Sequence, residues 1–149
     1  MPIYMLVTIQ ELAATSLYPE IITAITRDDP QAAELQILSA EELCKSHLFK
    51  YDLNAVFGTP DTPPTHPSEL IKKLVKIIAS YYLVRMASPN VNIDLYRLDY
   101  QDAMKMLEDI RDGRNNPNLP YATDNPDTPQ DEAGDSVFYS SNPKQQQFF

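Results

Sequence analysis

Glycine, cysteine and tryptophan are nearly missing from this chain, and positive charge is in short supply. Of its 149 residues only Gly58, Gly113 and Gly134 are glycine, and none sits in a P-loop lysine pattern. Phosphate-cradling turns, which need glycine for close backbone approach, are therefore excluded. Cys44 stands alone, so there is no internal disulfide framework and no thiolate cage for a metal, and a reducing compartment is expected. No run approaches the length of a membrane span. The opening Met1-Pro2-Ile3-Tyr4-Met5-Leu6-Val7 lacks a basic start and is too short for a secretory signal. The expectation is a chain kept in the cytosol unless it leaves inside an assembly, with no membrane partner.

Lys and Arg total 12 against 21 Asp and Glu, a formal net charge of -9. Non-specific DNA binding comes mainly from neutralising phosphates, so a chain this acidic is a poor sequence-reading DNA binder. The imbalance is uneven. Residues 1–66 carry three basic and nine acidic side chains, while residues 67–112 carry seven of each. Lys72, Lys73 and Lys76 form the one local basic strip, read first as the solvated edge of a helix and otherwise as a contact surface.

What is present is helical periodicity. Thr8-Ile9-Gln10-Glu11 fits a capping box, with Val7 and Leu12 placed as a hydrophobic staple, and predicts a short helix from Ile9 to about Ala14. A second short helix begins at Pro19 and presents Ile21, Ile22 and Ile25. Asp29-Pro30 offers an N-cap and an N1 proline for a longer helix to about Leu53, with Ala33, Ile37, Ala40, Cys44, His47 and Tyr51 on one face. The four prolines between Gly58 and Pro67 forbid a regular element there and predict a semi-rigid extended loop.

Pro67 fits the N1 position of the next helix, which Pro89 stops beyond Ser88. Its apolar set is broad: Leu70, Leu74, Ile77, Ile78 and Tyr81 share a face that Ile71, Val75 and Tyr82 widen. Only Glu69, Lys72, Lys73, Lys76 and Ser80 remain as a polar strip. Such a helix has to be surrounded on most sides. The last helix, from about Leu95 to Asp112, has Asp94 as N-cap, a thin seam of Tyr96, Tyr100, Ala103, Leu107 and Ile110, and Gly113 as its stop. The expected fold is all-α, a compact bundle of about five helices over residues 1–114. An extended, Pro-rich C-terminal interaction arm follows over residues 115–149.

Catalytic chemistry finds little support. Cys44 and His47 share a helix face at i,i+3 spacing, but no third ligand or orienting carboxylate accompanies them, so core packing is the simpler account. Glu41 and Glu42 point about 100° apart on a helix and do not converge. Asp29 of the Asp28-Asp29 pair serves as a cap. The four tyrosines Tyr81, Tyr82, Tyr96 and Tyr100 fall on apolar faces and read as core or subunit contacts rather than base-stacking platforms. No enzyme activity, cofactor or metal is expected.

The arm is a different case. A polar spacer from Asn115 to Ser136 precedes Val137-Phe138-Tyr139, and a second polar run precedes Phe148 and Phe149. Apolar anchors stored at the far end of a tether suit docking on another subunit, by strand addition or by filling pockets. Val137, Phe138, Tyr139, Phe148 and Phe149, with Lys72, Lys73 and Lys76, are thus the candidate protein-interaction residues.

Several ordered stretches together resemble a known family. They are Thr8-Ile9-Gln10-Glu11-Leu12, residues 45–52 (KSHLFKYD), Ala55-Val56-Phe57-Gly58, and the helix from His66-Pro67 to Ala79-Ser80-Tyr81-Tyr82-Leu83. Tyr100-Gln101-Asp102-Ala103, Leu107 and Asn116-Pro117-Asn118-Leu119-Pro120 continue the series. The chain resembles the small helical head-tail connector (adaptor) proteins of tailed bacteriophages, in particular the Mu-like gene-36-like group; His47 stands where such proteins often carry tyrosine. The resemblance implies a virion protein at the head-tail junction, made in the bacterial cytoplasm. It would form a homo-oligomeric ring, twelve-fold, between the portal protein and a stopper or tail-completion protein. Genomic DNA would pass through without specific binding, which suits acidic body residues facing the lumen. The competing reading is a cytosolic helical module that regulates a partner through its arm.

Overall fold

The computed structural model of the chain describes residues 5–15, 17–86 and 93–122. Within them it is all-helical: α1 (Ile9–Thr15), α2 (Pro19–Thr26), α3 (Pro30–His47), α4 (Leu53–Phe57), α5 (Glu69–Arg85) and α6 (Ile93–Arg111). The all-α expectation holds. Six helices replace about five because the third ends early and a further short helix, α4, follows it.

Local chemistry explains most boundaries. The Thr8 hydroxyl accepts from the Glu11 N–H at 3.1 Å, the N-cap bond of the predicted box, and the two staple residues Val7 and Leu12 are both fully buried. Asp29 accepts from the Gln31 N–H at 3.0 Å, with Pro30 in the first turn of α3. Gly113 adopts φ 84°. Its N–H reaches the Ile110 carbonyl while the Arg114 N–H reaches that of Asp109 at 2.8 Å, closing α6 in a Schellman turn.

Four boundaries differ from expectation. The helix expected to reach Leu53 ends at His47, where Leu43 O receives both the Ser46 hydroxyl at 2.6 Å and the His47 ring at 3.1 Å. Asp52 then caps α4 by accepting from the Ala55 N–H at 3.2 Å, leaving Leu48 and Tyr51 buried and Phe49 exposed. Ser68, not the residue before Pro67, caps α5, since its hydroxyl accepts from the Ile71 N–H at 3.4 Å. Pro67 thus lies just outside the helix, which closes at Arg85 rather than Ser88. Asp94 lies inside the first turn of α6 and pairs with Arg97 at 2.7 Å.

Helix α5 is the centre of the bundle, with α3 against one side and α6 against the other. Its buried residues are Ile71, Leu74, Val75, Ile78, Ala79, Ser80, Leu83 and Val84. The buried stripe is therefore rotated from the predicted one. Leu70, Ile77 and Tyr81 are only half-buried, while Ser80, assigned to the polar strip, is 3% exposed. Helices α1 and α2 close the remaining side against α3, and α2 also packs on α5.

The proline-rich loop is folded rather than extended. Thr59 and Thr62 exchange backbone hydrogen bonds, and the His66 N–H reaches the Ala55 carbonyl at 2.7 Å. Gly58 makes this possible with φ 80° and ψ 180°, a region open essentially only to glycine. A Cβ there would stand 2.8 Å from the Thr62 carbonyl oxygen and 2.9 Å from the Pro64 ring. Gly58→Ala is expected to cost about 2 kcal/mol, from strain plus displacement of the loop. Urea unfolding checks this, and a loss under 0.5 kcal/mol would contradict it.

After α6 the chain returns to the body. Leu119 is buried, Tyr121 stacks on Tyr51 with centroids 5.2 Å apart, and the Asp52 N–H reaches the Pro120 carbonyl at 2.8 Å. Residues 119–122 of the expected arm thus lie against the α3–α4 corner. Residues 123–149, with Val137, Phe138, Tyr139, Phe148 and Phe149, lie outside the described residues.

Candidate interaction surface

The three candidate lysines of α5 do not share one role. Lys72 is half-buried and pairs with Glu11 of α1 at 3.6 Å and with Glu69 at 3.7 Å, so it fastens α1 to the central helix. Lys73 and Lys76 instead stand along a groove between α5 and α6.

That groove follows from the unequal helices. The apolar arc of α5 is wider than the seam of α6 can cover, because only Ala103, Leu107 and Ile110 of α6 are fully buried. Leu70 and Ile77 are left half-buried beside Tyr96 and Met106. They bound an open volume of about 740 Å³, with Lys73 and Lys76 on the α5 lip and Asp99 and Asp102 on the α6 lip. The floor includes Ser80, whose buried hydroxyl has no hydrogen-bond partner among the described residues. A buried hydroxyl in that state forfeits its hydration without replacement.

Outside the groove lining, α5 and α6 are joined by tyrosines. Tyr81 stacks on Tyr100 with centroids 4.5 Å apart, Tyr82 leans on the same ring at 6.1 Å, and the Arg85 guanidinium lies 5.7 Å from the Tyr81 ring. Burial pushes the Tyr82 phenol up to about 12, helped by the neighbouring Tyr100. These rings are fixed packing groups. On the outer face of α6, Leu95 is 64% and Leu98 57% exposed, a surface that thin-seam reasoning on α6 left unremarked.

The remaining sequence candidates are apart from this groove. Cys44 is fully buried and burial, followed by the Glu41 charge, pushes its thiol up to about 12; at neutral pH it is protonated and no nucleophile. The His47 ring is turned to the Leu43 carbonyl. Among the described residues no three His, Cys, Asp or Glu side chains come together as a metal cage, and no helix is long and apolar enough to cross a membrane.

Glu41 is the polar residue that sequence reading undervalued. It is 3% exposed, and its carboxylate accepts from the Leu6 N–H at 2.8 Å and the Val7 N–H at 3.4 Å. Its position was legible: Glu41 falls on the buried face with Ile37, Cys44 and Leu48.

A family model described as Bacteriophage Mu, Gp36 matches residues 7–137 of the chain. No curated protein and no solved structure matches it.

Proposed function

Because the chain belongs to the bacteriophage Mu Gp36 family, we propose that this phage protein is a structural component of the virion, a head-tail connector. In this reading copies assemble head-to-tail into a ring between the portal and the stopper or tail, leaving a channel for DNA. The observation that carries it is apolar surface left uncovered on α5 and α6, a half-buried groove between them and, on α6, the exposed Leu95 and Leu98. Uncovered apolar surface of this kind marks sites of association. A head-to-tail contact needs two different patches on each copy and closes into a ring when the rotation allows. The acidic balance supports the same reading, since a channel rich in Lys and Arg would hold phosphates that must slide.

Electron microscopy of the purified chain, alone and mixed with the cognate portal, tests the proposal. Closed rings or density capping the portal are expected. Small complexes in both preparations would overturn it in favour of a module that regulates a partner. Deleting residues 137–149 is expected to leave the helical circular dichroism signal of the body within about 10% while reducing assembly at least several-fold. A large loss of helicity would place the chain's end in the core instead.

A further inference from the structure

We propose that the α5–α6 groove is the seat for Val137-Phe138-Tyr139 supplied by a neighbouring copy of this chain. The inference rests on the assembly reading above for which copy donates the segment. Three observations carry it.

The groove is unfilled and of the right kind. Its volume of about 740 Å³ lies in the range that encloses a ligand of several side chains, and Leu70, Leu74, Ile77 and Met106 give it apolar walls.

Both sides carry charge of both signs. Asp131, Glu132 and Asp135 precede the apolar triplet and Lys144 follows it. The groove offers Lys73 and Lys76, beside Glu69, on the α5 lip and Asp99 and Asp102 on the α6 lip. Lys72, by contrast, is engaged by Glu11 and Glu69, so the cations of the groove are Lys73 and Lys76. Opposed charges of this kind fix orientation and suppress wrong partners more than they add affinity.

Reach is sufficient. The described chain leaves the body at Ala122, held by the Lys50 carbonyl. From there to Val137 an extended chain spans about 50 Å, against a radius of gyration of about 13 Å for a domain of this size. A segment donated by each copy and received by the next gives every subunit one donor and one acceptor, which is the requirement of a closed heterologous ring.

Cysteine cross-linking of full-length chains tests this. Met106→Cys in one preparation places a thiol in the groove, and Ser140→Cys in another places one beside the triplet; native Cys44 is buried and unreactive. On mixing and mild oxidation, a disulfide-linked heterodimer is expected at least fivefold above that from Leu35→Cys, outside the groove, mixed with Ser140→Cys. Adding Phe138→Ser to the arm-labelled chain is expected to abolish the excess, and 0.5 M salt to reduce it.

Equal yields from Met106→Cys and Leu35→Cys would overturn the inference. So would a chain carrying both Met106→Cys and Ser140→Cys that closes only on itself, since the segment would then sit on its own copy. Rings seen by microscopy without the groove cross-link would sink this inference and leave the connector reading standing. The cross-link without rings would support the seat and sink the ring.

Discussion

Glu41→Ala is expected to lower the unfolding free energy by about 3 kcal/mol. The carboxylate is the acceptor for the Leu6 and Val7 N–H groups at 2.8 and 3.4 Å, and both residues are buried, Val7 completely. Truncation leaves two backbone donors in an apolar setting where water cannot replace the lost acceptor, at about 1–3 kcal/mol for each donor left unpaired. It also frees the segment that staples α1 through Val7 and Leu12. Glu41→Gln keeps an acceptor oxygen of the same reach and is expected to cost less than about 1 kcal/mol at pH 7. Urea unfolding of the three proteins decides the matter; a Glu41→Ala loss under 1 kcal/mol would refute the anchoring role.

The same site carries a pH signature. Burial raises the Glu41 carboxyl above its usual 4.5, a shift opposed by the Val7 and Leu6 hydrogen bonds and the Lys45 charge. A folded-state pKa above the unfolded value means that the native protein holds the proton more tightly. The associated stability is complete below about pH 4.5 and is lost as pH rises through the folded-state value. Measured against Glu41→Gln, which has no proton to lose, the wild-type protein should therefore lose relative stability as pH is raised from 4.5. Parallel stability profiles for the two proteins above pH 4.5 would contradict this.

Much of this architecture could be read from residue order because it is set by local rules. Thr8, Asp29 and Pro30, and Gly113 act within a few residues of themselves, and the structure places a cap or stop at each. The early end of the long helix and the start of α4 were equally local but hidden. Asp52 is an N-cap residue of the same type as Asp29, masked by the apolar period that Leu48 and Tyr51 continue across the break. What residue order does not contain is how far one helix covers another. A wide apolar arc on α5 is consistent with full enclosure, and only the narrowness of the α6 seam leaves Leu70 and Ile77 half-open and creates the groove. Ser80 was misjudged for a related reason. Side-chain polarity argued for the surface, whereas its helical position beside Ala79 puts it inside. Tyr51 and Tyr121 were out of reach altogether, since a stack between residues seventy apart depends on the completed bundle.

Neighbouring isoleucines on α5 offer the sharpest measure of how the helix is covered. Ile78 is completely buried in the stripe that α5 presents to the core, whereas Ile77 borders the groove and is half-buried. Ile78→Ala removes side-chain carbons from a close-packed site that can collapse little and is expected to cost about 3–4 kcal/mol, lost transfer free energy together with the cavity left behind. Ile77→Ala should cost about 1 kcal/mol, because only part of the side chain leaves water on folding and the groove already admits solvent. Ile78→Ala should therefore unfold at a clearly lower urea midpoint with an unchanged m-value, and Ile77→Ala near wild type. Equal losses would mean that the groove is closed within a single chain. The opposite asymmetry appears on assembly: if the groove receives a neighbour's segment, Ile77→Ala should weaken self-association more than it weakens the fold, whereas Ile78→Ala should act through folding alone. Comparing unfolding with assembly for the two variants thus separates the face that builds the body from the face left for a partner.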